Sequence, residues 1–89
     1  MNSRATPRFW EAYAALPEAT KERARNAYAR FRDNPNHPSL RFKKVHETEP
    51  IYSVRVSRDC RALGLLERGE VVWFWIGTHD DYDRLLAAL

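Results

Sequence analysis

The sequence predicts an α+β domain: an N-terminal α-hairpin packed on a four-stranded antiparallel sheet, closed by a short C-terminal helix. Three observations lead there. Apolar residues recur at spacings of three and four through the first third of the chain. After Pro38 the period shortens to two, and after Gly77 it returns to helical spacing.

Thr6-Pro7 opens the first helix, with a hydroxyl cap followed by proline at the first helical position. Phe9, Trp10, Tyr13 and Leu16 form its apolar stripe, and Pro17 ends it. Ala24, Ala27, Tyr28 and Phe31 stripe the second helix, while Lys21, Arg23, Arg25, Arg30 and Arg32 cover much of the remainder. Asn34-Pro35-Asn36-His37-Pro38 then stops it, because two prolines cannot continue a helix. Residues 40–46, 51–57 and 60–67 read as strands, with 47–50 and 57–59 as connections. Arg68-Gly69 makes a tight hairpin turn into residues 71–76. That run, VVWFWI, is apolar on both faces and predicts a central strand covered on both sides. Residues 80–89 form the closing helix, with Tyr82, Leu85, Leu86 and Leu89 as its apolar side.

Residues 1–89 make one domain, and a chain this short buries only roughly 60–65% of its unfolded surface. Three Trp, four Tyr and four Phe compensate, since each buried aromatic removes about 150–250 Å² from water. The single Cys60 has no partner for an internal disulfide, and no Cys/His cluster has zinc-finger spacing. A reducing, cytoplasmic setting with no metal and no cofactor is the expectation. No apolar run approaches the roughly 20 residues that span a bilayer, and MNSRATPRF lacks a signal-peptide core, so no membrane is expected as a partner. The net charge of +3 hides an asymmetry. Residues 1–46 carry ten Lys/Arg against four Asp/Glu, and residues 47–89 carry five against eight. A basic half implies a surface that faces a polyanion, although ordinary solvated charge also fits so small a total.

Candidate chemistry concentrates in the second half. In residues 51–57, Tyr52, Val54 and Val56 point one way and Ser53 and Arg55 the other. Arg61 follows the tight turn at 57–59, which sets it near the Arg55 end of the sheet. Arg41, Lys43 and Lys44 offer RNA-binding charge from the first strand, and His79 leaves the last strand with Tyr82 three residues on. Such a set is suited to cutting an RNA phosphodiester without a metal, because RNA carries its own 2′-OH nucleophile. Arginine binds phosphate oxygens as a planar fork. Lysine beside other cations serves as a base. Histidine gives or takes a proton near neutrality, and tyrosine stacks on a base or donates to phosphate.

Each residue also has a plainer reading. Arg55 and Arg61 pair with Glu47, Glu49, Asp59 or Glu67; Lys43 and Lys44 are solvated strand residues; His79 orients the last helix; Tyr82 belongs to the core. Trp73 and Trp75 are packing residues, His37 and His46 lie at the surface, and Cys60 is a small buried apolar residue.

The segments YSVRVSRDCRALG and WFWIGTHDDYDRLL, with the α-hairpin and NPNHPSLRFKKV before them, resemble the RelE/ParE superfamily of toxins from type II toxin–antitoxin systems. The resemblance covers nearly the whole chain and implies a RelE-like, microbial-RNase-like fold. It implies a toxin that cuts messenger RNA in the ribosomal A site, as RelE-type members do, or one that inhibits DNA gyrase by binding, as ParE-type members do. A catalytically degenerate member acting as a protein- or operator-binding module is a third form. It also implies a cognate antitoxin, ribosome and mRNA as partners, and operator DNA through the antitoxin complex. Carried over by position, Arg55 matches a catalytic lysine, Arg61 the phosphate-binding arginine, and His79 the arginine or histidine near the leaving group. Tyr82 stands for the C-terminal tyrosine, though it arrives earlier. Ser53 replaces a second expected lysine, and Cys60 takes a place usually held by an aromatic residue or histidine. The opening strand of many members is expected to be absent, and the base is open among Lys43, Lys44 and Glu49.

Overall fold

The computed structural model describes residues 1–89. Its elements run β1 (Asn2–Ala5), α1 (Pro7–Ala14), α2 (Glu18–Asp33), a 3-10 turn (Pro38–Leu40), β2 (Lys43–Lys44), β3 (Ile51–Ser57), β4 (Cys60–Glu67), β5 (Glu70–Thr78) and α3 (His79–Ala88). The strands lie side by side as β1-β5-β4-β3-β2. All neighbours are antiparallel except β1, which runs parallel to β5. The α+β class holds, but the sheet is five-stranded and mixed, not four-stranded and antiparallel.

The extra strand is the one expected to be absent. Asn2–Ala5 pairs with the start of β5, from Asn2 opposite Glu70 to Ala5 opposite Trp73. Four residues are too few to show a period of two, and their partner lies at the far end of the chain, beyond any local pattern. The pairing leads directly into α1: Thr6 N donates to Trp73 O at 2.9 Å, and Thr6 Oγ1 accepts from Phe9 N at 3.2 Å as the helix cap. Conversely, the strand expected at 40–46 shrinks to Lys43–Lys44. Leu40 ends a 3-10 turn, fully buried, and Arg41 adopts a left-handed φ of 46°, which no strand accommodates. Helix α1 stops at Ala14, short of Leu16. Pro17 disfavours the helical region for the residue before it, so Leu16 N drops back to Tyr13 O at 3.0 Å. The Arg68-Gly69 turn is as expected, with φ of 51° and 76° at its two central residues, the left-handed pair of a tight hairpin.

Two apolar layers sandwich the sheet. On one face α1 lies over β5 and α2 over β3. Phe31 of α2 is buried at the centre, edge-on to Trp73 at 5.3 Å and to Phe42 at 5.1 Å, over Val54, Val56, Ala62 and Ile76. On the other face Tyr82 of α3 packs on Ile51 and Leu63, with Trp75, Leu85 and Leu86 around them. The expectation that β5 is covered on both sides holds. Its alternation is broken by a bulge, however: Leu63 pairs with Trp75 but Gly64 with Trp73, leaving Phe74 as an extra residue.

Gly64 sits where the first layer is tightest. A Cβ there would stand 2.5 Å from Val71 Cγ1 and 2.8 Å from Trp73 Cε3. Gly64→Ala should therefore destabilise the domain by about 1–3 kcal/mol through overpacking. Thermal unfolding should show Tm lowered by at least about 5 °C; an unchanged Tm would contradict this packing. Cys60 gives a second test. Burial pushes its thiol up from 9.0 to about 11, with Arg61 and the Gly77 backbone pulling weakly the other way. The unfolded chain ionises first, so this contribution to stability is complete below pH 9 and is lost as pH rises towards 11. At pH 8 the native protein should hold roughly a hundredfold fewer thiolates than the unfolded chain. A thiol-reactive disulfide reagent should therefore label Cys60 far more slowly before denaturant is added than after.

Candidate active site

The face covered by α3 carries the charged rim. β3 and β4 pair so that Arg55 lies directly opposite Arg61, and β4 and β5 pair so that Arg61 lies opposite Gly77. Both arginines project on the side of Ser53 and Leu63, away from α1 and α2. The acids that the plainer reading offered as partners do not meet them. The ion pairs of the structure are Arg4–Glu70, His79–Asp83 and Arg84–Asp81. Arg55 and Arg61 thus form a pair of neighbouring cations with no carboxylate between them.

Arg61 is held by the β3–β4 turn. Its Nη1 donates to the carbonyl oxygens of Ser57, Cys60 (3.1 Å) and Arg58 (3.3 Å), and its Nε and Nη2 meet no acceptor within the protein. Half of the fork is anchored and half is open. Burial holds its guanidinium below the ordinary arginine range, and the nearby Arg55 and Arg41 cations push the same way. Tyr82 and Cys60 act in the opposite sense. A bound anion would offset both the repulsion among the cations and the cost of partly burying this charge.

The same turn fixes His79. As the first residue of α3 it donates its backbone N–H to Asp59 O at 2.9 Å. Thr78 caps the helix through Oγ1, which accepts from Asp81 N at 3.1 Å. The ring is edge-on to Tyr82 at 5.7 Å and lies 3.1 Å, Nδ1 to Oδ2, from Asp83. Tyr82 is both a core and a rim residue: it is only 7% exposed, yet its hydroxyl makes no hydrogen bond within the protein and reaches solvent. Trp75, half-buried, lies 6.5 Å from Tyr82 and covers Gly77, where a Cβ would come within 2.6 Å of its Cζ2.

Of the first-strand cations, Lys43 lies opposite Ser53 and so shares the face of Arg55, while Lys44 lies opposite Tyr52 and belongs to the other face. Both are exposed. Arg41 is close enough to act on the charge of Arg61. His37 and His46 have local duties: Nδ1 of His37 accepts from Ser39 N, and Nδ1 of His46 accepts from Glu49 N. Asp83 escaped the sequence reading, although its spacing of four from His79 on a helix was a usable signal. Trp75 was read as packing alone.

An apolar cavity lies elsewhere. A groove of about 520 Å³ opens between α1, α2 and the sheet, on the face opposite the arginines, with Ala24, Ala27, Val54, Ala62 and Trp73 among its walls. Trp10 and Tyr28 stand at its mouth, 55% and 42% exposed. Two polar bridges cross it, from Arg25 Nη1 to Tyr13 Oη at 2.9 Å and from Ser3 Oγ to Tyr28 Oη at 3.2 Å.

Comparison with known proteins places this geometry. No curated protein sequence matches the chain. Among solved structures, YafQ from E. coli superposes with a TM-score of 0.72 at 10% identity, over 91% of this chain and 96% of that one. The RelB-RelE antitoxin-toxin complex from Methanococcus jannaschii gives 0.70 at 14% identity, over 90% and 95%. The isolated E. coli RelE toxin gives 0.65 at 12%, over 99% and 98%. These likenesses establish the fold. The profile of the ParE-like toxin domain matches residues 18–84, from the start of α2 into α3. The chain therefore belongs to the ParE-like toxin domains of the RelE/ParE superfamily, the toxins of toxin–antitoxin systems.

Proposed function

We propose that this domain is a metal-independent endoribonuclease that cuts messenger RNA on the ribosome and so inhibits translation. The observation that carries the reading is the Arg55–Arg61 pair, free of carboxylate partners and set beside Tyr82 with His79 at the rim. The open edge of the Arg61 fork binds the non-bridging oxygens of the scissile phosphate, already oriented by the turn carbonyls. Arg55 and Lys43, on the same face, offset the charge that grows as the phosphate becomes pentavalent. The 2′ oxygen attacks phosphorus and gives its proton to a base, for which Lys43 lies on this face, and the bond to the 5′ oxygen breaks. His79 supplies the proton that the departing oxygen needs. The Tyr82 hydroxyl donates to the phosphate. Among the lysines offered as a base, Lys43 shares the face of the arginines and Lys44 does not.

The partner reading rests on the other face. The groove is apolar and its rim carries Arg4 and Arg25, which suits an acidic amphipathic segment of an antitoxin that folds as it binds. The similar Methanococcus jannaschii structure is an antitoxin-toxin complex, which supports a partner of this kind. Operator DNA would be reached through that complex. A second reading, inhibition of DNA gyrase by contact, is favoured by the match to the ParE-like toxin domain. It requires no histidine.

Purified protein incubated with programmed ribosomes should cut the A-site codon and leave free RNA intact. His79→Ala and Arg61→Ala should remain folded and lose about 10²–10⁴-fold in rate. A folded Arg61→Ala protein that still cuts would remove the assignment, and growth arrest with intact transcripts would turn it towards gyrase. With the antitoxin present at 100 times its dissociation constant, the domain should gain about 2.7 kcal/mol of stability. Calorimetry of the free and bound protein measures this, and identical Tm values would refute the partner.

A further inference from the structure

We propose that Asp83 is the positioning residue for His79: its carboxylate holds the Nδ1–H and leaves Nε2 as the one ring nitrogen free to act. This rests on the nuclease reading above. Residues four apart share a face of an α-helix, and α3 brings Asp83 Oδ2 to 3.1 Å from His79 Nδ1. An ionised carboxylate only accepts hydrogen bonds, so the proton between the two atoms belongs to Nδ1. The neutral ring then carries its lone pair on Nε2, and the charged ring carries its transferable proton there. In both states the chemistry emerges at one atom.

The surrounding contacts support a dedicated hold. The backbone of His79 is tied to Asp59 O at 2.9 Å, and its ring is edge-on to Tyr82. Nε2 meets no partner within the protein. Asp83 in turn has no partner except His79, whereas the Asp81 carboxylate accepts from Arg84 at 3.1 Å and its backbone N–H donates to the cap, Thr78 Oγ1. Asp83 lies past the first turn of α3, so it does no capping. The charged residues of α3 are His79, Asp80, Asp81, Asp83 and Arg84, and Arg58, Asp59 and Arg61 lie on or beside the β3–β4 turn that holds the His79 backbone. Of these only Asp83 bonds the imidazole.

The pair is exposed, 43% at His79 and 62% at Asp83, so the bias it imposes is modest, roughly three- to fivefold. The test uses the whole domain and two variants, Asp83→Ala and Asp83→Glu. Long-range ¹H–¹⁵N spectra at alkaline pH, where an imidazole is neutral, should show His79 with clearly more of the Nδ1–H tautomer than a free imidazole carries. In Asp83→Ala it should move towards the Nε2–H form that water favours. Ribosome-programmed cleavage by Asp83→Ala should lose roughly three- to fivefold in kcat with KM unchanged. Asp83→Glu should restore both spectrum and rate. An unchanged His79 spectrum in Asp83→Ala overturns the hold, and a changed spectrum with unchanged kcat overturns its role in catalysis. Native protein that cuts no RNA removes the nuclease reading and the catalytic half of this proposal with it. The spectrum then still decides whether Asp83 fixes the ring.

Discussion

The irregular pairing of β4 with β5 governs which side chains reach which face of the sheet. Phe74 is the extra residue, and its insertion shifts the side-chain alternation of β5 by one. Val71 and Trp73 before it, and Ile76 after it, all enter the layer under α1 and α2. Phe74 and Trp75 both go to the layer of α3. Strict alternation would have turned Ile76 out of the first core and driven Trp75 into it. The shift also brings Gly77 opposite Arg61 with the Trp75 indole across it. One backbone irregularity thus supplies the arginine with an open neighbour and an aromatic wall.

The charged rim is assembled against its own repulsion. Arg61 is partly desolvated, and the Arg55 and Arg41 cations both act on its charge. Elsewhere the chain does pair its arginines, with Arg4 on Glu70 and Arg84 on Asp81. A fold selected for stability alone would have set an acid opposite Arg61; the register sets another arginine there. A negative charge brought from outside would offset this repulsion. The turn carbonyls that receive Arg61 Nη1 make the arrangement affordable, since they neutralise part of the guanidinium without occupying the edge that faces solvent.

The sequence disclosed the local features and hid the non-local ones. Helix starts, the left-handed Arg68-Gly69 turn and the facing of Val54 and Val56 follow from short-range sterics and parity, and all were legible. β1 was not, because its parallel pairing depends on a strand at the opposite end of the chain. Residues 40–46 read as a strand because Leu40 and Phe42 alternate with cations. Yet Leu40 is buried from a 3-10 turn, and Arg41 turns the backbone left-handed. At the site, parity and the short β3–β4 turn sufficed to bring Arg55 and Arg61 together. They did not disclose that the nearby acids stay away from both arginines. For Arg61 the turn carbonyls take Nη1 instead, a contact with no sequence signature.

The two faces impose a condition on how such a toxin can be restrained. A segment seated in the groove touches α1, α2 and the upper side of the sheet, and it leaves the Arg55–Arg61 edge uncovered. Restraint from the groove alone must therefore pass through the strands that both faces share. Val54 and Val56 line the groove and flank Arg55 on β3, and Ala62 lines it next to Arg61 on β4. Close-packed interiors transmit such strain, but sheets resist sliding, so movement of the arginines by this route would be small. A helix seated above Trp10 and Tyr28 would also enlarge the domain on that side. A partner that also covers the arginines has to extend around the sheet edge at β2, whose exposed Lys43 and Lys44 present cations to both faces.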